Sequence, residues 1–97
     1  MIVVRGVNLF PSAVEQVVRQ LPEITEYQVI ISKRGALTEV HLVVELALQV
    51  SRAVDVVKKL ENALQTAFSL RIRVTVAANN TLPRSELKAR RWIRRND

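Results

Sequence analysis

The side chain best placed for chemistry in this 97-residue sequence is Lys88. It stands in Thr81-Leu82-Pro83-Arg84-Ser85-Glu86-Leu87-Lys88-Ala89-Arg90-Arg91, an irregular segment that presents one lysine after a proline and a possible cap. Lysine is a compact point charge on a long flexible stem, suited to reaching a developing anion. A second segment, Val4-Arg5-Gly6-Val7-Asn8-Leu9-Phe10-Pro11-Ser12, turns a strand through a Gly/Asn loop into a helix. Together they suggest a small domain that delivers a cation to an active site located elsewhere. A self-contained site is not visible. His41 is the one histidine, flanked by Glu39 and Glu45 in a polar register, and reads as a surface side chain. With no cysteine and no second histidine, no usual zinc set can form, so no metal site is expected. Gly-x-Ser-x-Gly and Gly-x-x-x-x-Gly-Lys patterns are absent.

The elements around these segments follow from periodicity. Ninety-seven residues make one domain, residues 1–97, with 48% apolar residues and two glycines, which argues against disorder. Arg5 interrupts the apolar start too early for a signal peptide or membrane span, so a cytoplasmic domain is expected. Met1 to Val4 reads as a strand ended by Gly6. Ala13, Val14, Val17, Val18 and Leu21 form a helical stripe closed by Pro22. Two starts are open for that helix: a Ser12–Glu15 capping box, or Pro11 in the first turn with Phe10 as cap. Phe10 is expected in the core. Tyr27, Val29 and Ile31 alternate with polar residues, and a turn at Gly35 leads to a return strand carrying Val40, Leu42, Val44 and Leu46 on one face. A helix is expected over 52–68 with Ser51 as N-cap, its stripe running Val56, Val57, Leu60, Ala63, Leu64, Ala67 and Phe68. Leu70, Ile72, Val74 and Val76 make a last strand.

The economical packing is a ferredoxin-like α+β two-layer sandwich: a mainly antiparallel sheet with two helices on one face, followed by a basic tail. The open sheet face would show Gln28, Ser32, Glu39, His41, Glu45, Arg71 and Arg73. The net charge of +6 is concentrated from Arg84 onward, where six Lys or Arg meet only Glu86 and Asp97. Either a phosphate-facing patch or a solvated terminus would explain it.

Both opening segments carry a resemblance. Val4-Arg5-Gly6-Val7-Asn8-Leu9-Phe10-Pro11-Ser12 with Val14-Glu15 is similar to the entry of the C-terminal domain of phenylacetate–coenzyme A ligases, in the adenylate-forming (AMP-binding, acyl-CoA synthetase) superfamily. Leu82-Pro83-Arg84-Ser85-Glu86-Leu87-Lys88-Ala89-Arg90-Arg91 is similar to that family's closing motif, in which Leu87 replaces the usual glycine. The resemblance implies a mobile lid domain of a two-domain ligase. An N-terminal AMP-binding domain would hold ATP, Mg²⁺ and an aryl or other carboxylic acid. Coenzyme A would then displace AMP to give a thioester. On this resemblance Lys88 is the catalytic lysine of adenylation, and Gly6, with Arg5 and Asn8, lies on the face approaching the active site during thioester formation. Arg84, Arg90 and Arg91 are candidates for coenzyme A phosphates, and Trp92 for packing. The family's hinge aspartate would stand just before the first residue.

Two other classes compete. A basic ferredoxin-like sheet could bind nucleic acid, although RNA-binding sheets stack bases on exposed strand aromatics and the four aromatics here, Phe10, Tyr27, Phe68 and Trp92, form no strand pair. A module that binds a small effector, or dimerises, would rest on fold class alone.

Overall fold

The computed structural model describes residues 2–82 and 91–96. The chain runs β1 (Ile2–Val4), β2 (Val7–Leu9), α1 (Pro11–Val18), β3 (Ile24–Arg34), β4 (Leu37–Leu46), α2 (Ala53–Phe68), β5 (Arg73–Val76) and β6 (Trp92–Asn96). The α+β two-layer class expected from the periodicities is the one observed. One core cluster joins Val14, Val17 and Val18 of α1, Val56, Leu60 and Leu64 of α2, and Tyr27, Val29, Ile31, Leu42 and Val44 of β3 and β4. Both helices therefore cover the same sheet face.

The main sheet has strand order β5-β4-β3-β6. Its centre is the long antiparallel β3–β4 hairpin, closed by Gly35 and Ala36 with Gly35 at φ 60°, as a type II′ turn requires. The two outer pairings, β4–β5 and β3–β6, are parallel. Two expectations change here. The first strand does not join this sheet: Arg5 and Gly6 both adopt positive φ, 50° and 80°, the two-residue turn that folds β1 back onto β2 as a separate hairpin. The place beside β3 goes instead to Trp92–Asn96, so the expected basic tail is, from Trp92, an edge strand.

Local details settle several alternatives. Phe10 is the extended N-cap of α1 and Pro11 its first residue, with no side-chain cap, so the capping box does not form. Phe10 is consequently 48% exposed rather than core, because a cap residue ahead of the first turn points off the helix's buried face. Arg52, not Ser51, caps α2, and Ser69 ends it in the left-handed region. Ala67, in the last turn of α2, and Val76, the last residue of β5, are exposed rather than part of the apolar faces they were expected to join. Glu61, on the outer side of α2, accepts the Val74 N–H at 3.0 Å and so blunts the free edge of β5.

Candidate functional site

Buried charge gathers at one end of the central hairpin. Glu26 of β3 and Glu45 of β4 are cross-strand partners at a register irregularity between Ile24 and Glu26. Glu45 is 1% exposed. It accepts the backbone N–H of Asn80 at 2.7 Å and of Leu82 at 2.6 Å. This overturns its expected place on the open face: the residues after β5 pass over that end of β4 and bury the carboxylate under their own amides. Asn80 takes φ 64°, a conformation asparagine tolerates better than most side chains.

Arg91 meets Glu26 from the other side. It is 6% exposed, and its Nε donates to Glu26 Oε1 at 2.8 Å while Nη1 lies 3.4 Å from Glu15 Oε2 on α1. The guanidinium also stacks 5.1 Å from the centre of the Tyr27 ring. Burial alone would depress its pKa, but the hydrogen bond and charge of Glu26, with Glu15, carry it above the ordinary arginine value. The Tyr27 hydroxyl donates to Glu15 Oε1 at 3.0 Å, and burial, reinforced by Glu15, pushes its pKa up to about 12. Arg91 is thus spent on internal carboxylates, which corrects its candidacy for coenzyme A phosphates.

The β1–β2 hairpin is different in kind. Arg5, Gly6 and Asn8 are exposed, and a Cβ placed on Gly6 would meet nothing within 4 Å. Gly6 is therefore required by its positive φ and not by crowding inside the domain. On the sheet, His41 bonds Thr75 Oγ1 at 2.8 Å, and its pKa is lowered by burial and by Arg73 and Arg95. It faces a cationic neighbourhood rather than a reacting group, in line with a surface histidine.

Residues 6–95 match the model of the AMP-binding enzyme C-terminal domain. This chain belongs to that family. It is 30% identical over 95 residues to the phenylacetate-coenzyme A ligase of Pseudomonas putida, covering 92% of this chain and 22% of that protein. Its backbone is similar to 2-hydroxyisobutyryl-CoA ligase, solved with 2-HIB-AMP and CoA in the thioesterification state, with a TM-score of 0.87, 27% identity, and coverage of 100% of this chain and 21% of that one. A domain of phenylacetate-coenzyme A ligase from Bacteroides vulgatus shares the fold, with a TM-score of 0.83 at 22% identity and coverage of 100% and 93%. The chain thus spans about a fifth of the curated ligase it matches.

Of the expected site residues, Arg5, Gly6 and Asn8 come together at one hairpin, while Lys88 and Arg84 lie outside the described residues. What the sequence reading missed is the Glu15–Glu26–Tyr27–Arg91 cluster and Glu45. Glu26 next to an apolar strand position was the available signal. Among the described residues no group of His, Asp and Glu could hold a metal ion, and no helix is long and apolar enough to cross a membrane. Tyr27 is buried, and Trp92 packs against the core with its indole N–H unpartnered. The sheet thus offers no aromatic stacking platform among the described residues, and the nucleic-acid alternative loses its main requirement.

Proposed function

We propose that this chain is the C-terminal domain of an AMP-forming carboxylic acid–coenzyme A ligase and that Lys88 supplies the cation for adenylation. The observation that carries this is the family match over residues 6–95, which takes in Gly6, Asn8 and the Lys88 segment. In the first half-reaction a substrate carboxylate attacks the α-phosphorus of ATP, and pyrophosphate leaves. Two anions are pressed together and charge accumulates on the transferring group, so a positioned ammonium lowers the barrier. A unit charge pair at 4 Å is worth about 4 kcal/mol at an effective dielectric of 20, roughly a thousandfold in rate. ATP, Mg²⁺ and the acid, aryl or otherwise, belong to the partner AMP-binding domain. This chain's own share is the cation.

In the second half-reaction the coenzyme A thiol attacks the acyl carbon and AMP departs. The exposed turn at Arg5–Gly6 is the part of this domain suited to close backbone approach, since Gly6 brings no side chain to obstruct a ligand. Arg5 and Arg84 would face phosphate, and Asn8 would line the same approach. The ligase related by fold that was solved with an acyl-adenylate and CoA supports this assignment to thioester formation.

Lys88→Ala in the two-domain enzyme is expected to cut acid-dependent pyrophosphate exchange by about a thousandfold. Thioester formation from supplied acyl-adenylate should stay within about threefold. Equal losses in both steps would remove Lys88 from this role.

A further inference from the structure

We infer that Val3 and Phe10 form a docking surface: the outward face of the β1–β2 ribbon seats on an apolar patch of the AMP-binding domain in the orientation that makes the thioester. The inference rests on the ligase reading and adds to it the side chains that hold the ribbon in place.

The ribbon has two unlike faces. Its register pairs Val3 with Asn8 and Ile2 with Leu9, and Phe10 continues β2 in extended backbone, φ −104° and ψ 134°. Alternation turns Val4 and Leu9 inward, where both are buried, with Ile2 and Val7 packed against the core. Val3, Asn8 and Phe10 share the other face, with Val3 52% and Phe10 48% exposed. Single exposed apolar side chains are ordinary. Leu37, Val54 and Val76 are of that kind, each on a different element. Two on one short face, beside an exposed turn, are a patch.

The stability of the domain does not account for this face. An N-cap position favours Ser, Thr, Asp or Asn, whose side chain accepts a first-turn amide. Phe10 occupies that position in α1 with no cap hydrogen bond. The chain thus keeps a half-exposed ring where a serine would serve both helix and solvent. At the tip of the same ribbon Arg5 takes φ 50°, where glycine or asparagine is the usual occupant. Local rules broken together in one place mark function rather than folding.

The occupant follows from what the relatives contain. This chain spans 22% of the phenylacetate-coenzyme A ligase it matches and 21% of 2-hydroxyisobutyryl-CoA ligase, so most of either protein lies outside the matched part. The tip of the ribbon is the Arg5–Gly6 turn assigned above to thioester formation, and Asn8 stands between that turn and Phe10. A face continuous with the approaching turn meets the domain that the turn approaches. Apolar side chains there gain by leaving water, while the turn's own backbone reaches toward the ligand.

The experiment has two arms. In the two-domain enzyme, Phe10→Ser removes the ring and supplies the missing cap. Thioester formation from supplied acyl-adenylate is expected to fall about tenfold, with pyrophosphate exchange held within about twofold. Phe10→Leu keeps an apolar contact and should stay within about threefold of the parent in both steps. The 97-residue chain carrying Phe10→Ser should melt no lower than the parent, since a cap is gained and no core contact is lost. Thioester formation kept within about twofold, an equal fall in both half-reactions, or a melting temperature lowered by more than ~5 °C would each overturn the inference.

The second arm needs no turnover. Val3→Cys is alkylated with iodoacetamide and followed at the peptide carrying residue 3. With coenzyme A present, the two-domain enzyme should react at least ~10-fold more slowly there than the 97-residue chain, as a face docked most of the time requires. Equal rates would overturn the inference. If the unmodified two-domain enzyme makes no acyl-CoA, the ligase reading has failed, and the docking surface is judged by the same alkylation comparison made without coenzyme A.

Discussion

Two regions of this domain, the β1–β2 hairpin and the Glu26–Glu45 end of the central hairpin, are built on opposite principles. The Arg5–Gly6 hairpin is determined locally: two consecutive positive φ angles, 50° and 80°, make the turn, and the side chains around it are exposed. The Glu26–Glu45 end is determined at a distance, by buried carboxylates that bind a guanidinium and two amides far away in the chain. A local turn can be pressed against a ligand without disturbing the domain behind it. Asn80, Leu82 and Arg91 instead take their positions from the core, and cannot shift without breaking buried polar contacts.

The sharpest way to break that contrast is Arg91→Met. It leaves buried Glu26 without its guanidinium, while Glu15 keeps Arg19 at 3.4 Å, with an expected cost of about 3 kcal/mol. For a domain of this size that lowers Tm by roughly 12–24 °C in a thermal melt. A loss below ~1 kcal/mol would mean that this end is no more rigidly held than a surface ion pair.

Tyr27→Phe tests the same cluster more gently. Losing the hydroxyl that donates to Glu15 should cost about 1 kcal/mol. It should also remove an alkaline transition. The folded phenol keeps its proton up to about 12, while the unfolded one releases it near 10, so the contribution is complete below pH 10 and lost as pH rises from 10 to about 12. Denaturant midpoints measured across that window should fall more steeply for the parent chain than for the variant.

Gly6→Ala sharpens the other side. No atom obstructs the added Cβ, so the whole penalty is the positive φ, about 1 kcal/mol. Gly6→Asn should recover most of it, since asparagine tolerates that region. If both variants melt alike and both are much weaker, the hairpin depends on packing after all.

The same division explains what could be read from the sequence. Both helices, the longer strands and the Gly35 turn announce themselves within a few neighbours: the stripe from Val56 to Leu64, the alternation of Tyr27, Val29 and Ile31, and the glycine at 35. The hairpin at Gly6 did not, since that stretch read as a loop leading from strand into helix. The resemblance of the Val4–Ser12 and Leu82–Arg91 segments, taken as a pair, to a ligase domain led to the correct family for a similar reason, since contiguous motifs survive as text. The sheet order did not show, because which strand lies beside β3 depends on a partner some sixty residues later, Trp92 against Val29. Glu45 looked like one more outward residue in an alternating strand, and only the passage of residues 80–82 over it buries the carboxylate. Phe10 was misplaced for the converse reason: hydrophobicity predicts burial on average, but a helix cap sits where the chain is still entering.

The parallel pairing of β6 with β3 has a consequence for how such a domain is made. β6 follows every other described strand in chain order, so on a growing polypeptide the outer rim of β3, from Val29 to Lys33, stands with its amides and carbonyls open until Trp92 arrives. An uncovered rim of that length is a template for intermolecular β-pairing. Synthesis halted ahead of Trp92 would therefore yield a sticky product rather than a merely incomplete one, whereas β6, once it takes over the edge, carries Arg94 and Arg95, charges that discourage pairing with another copy.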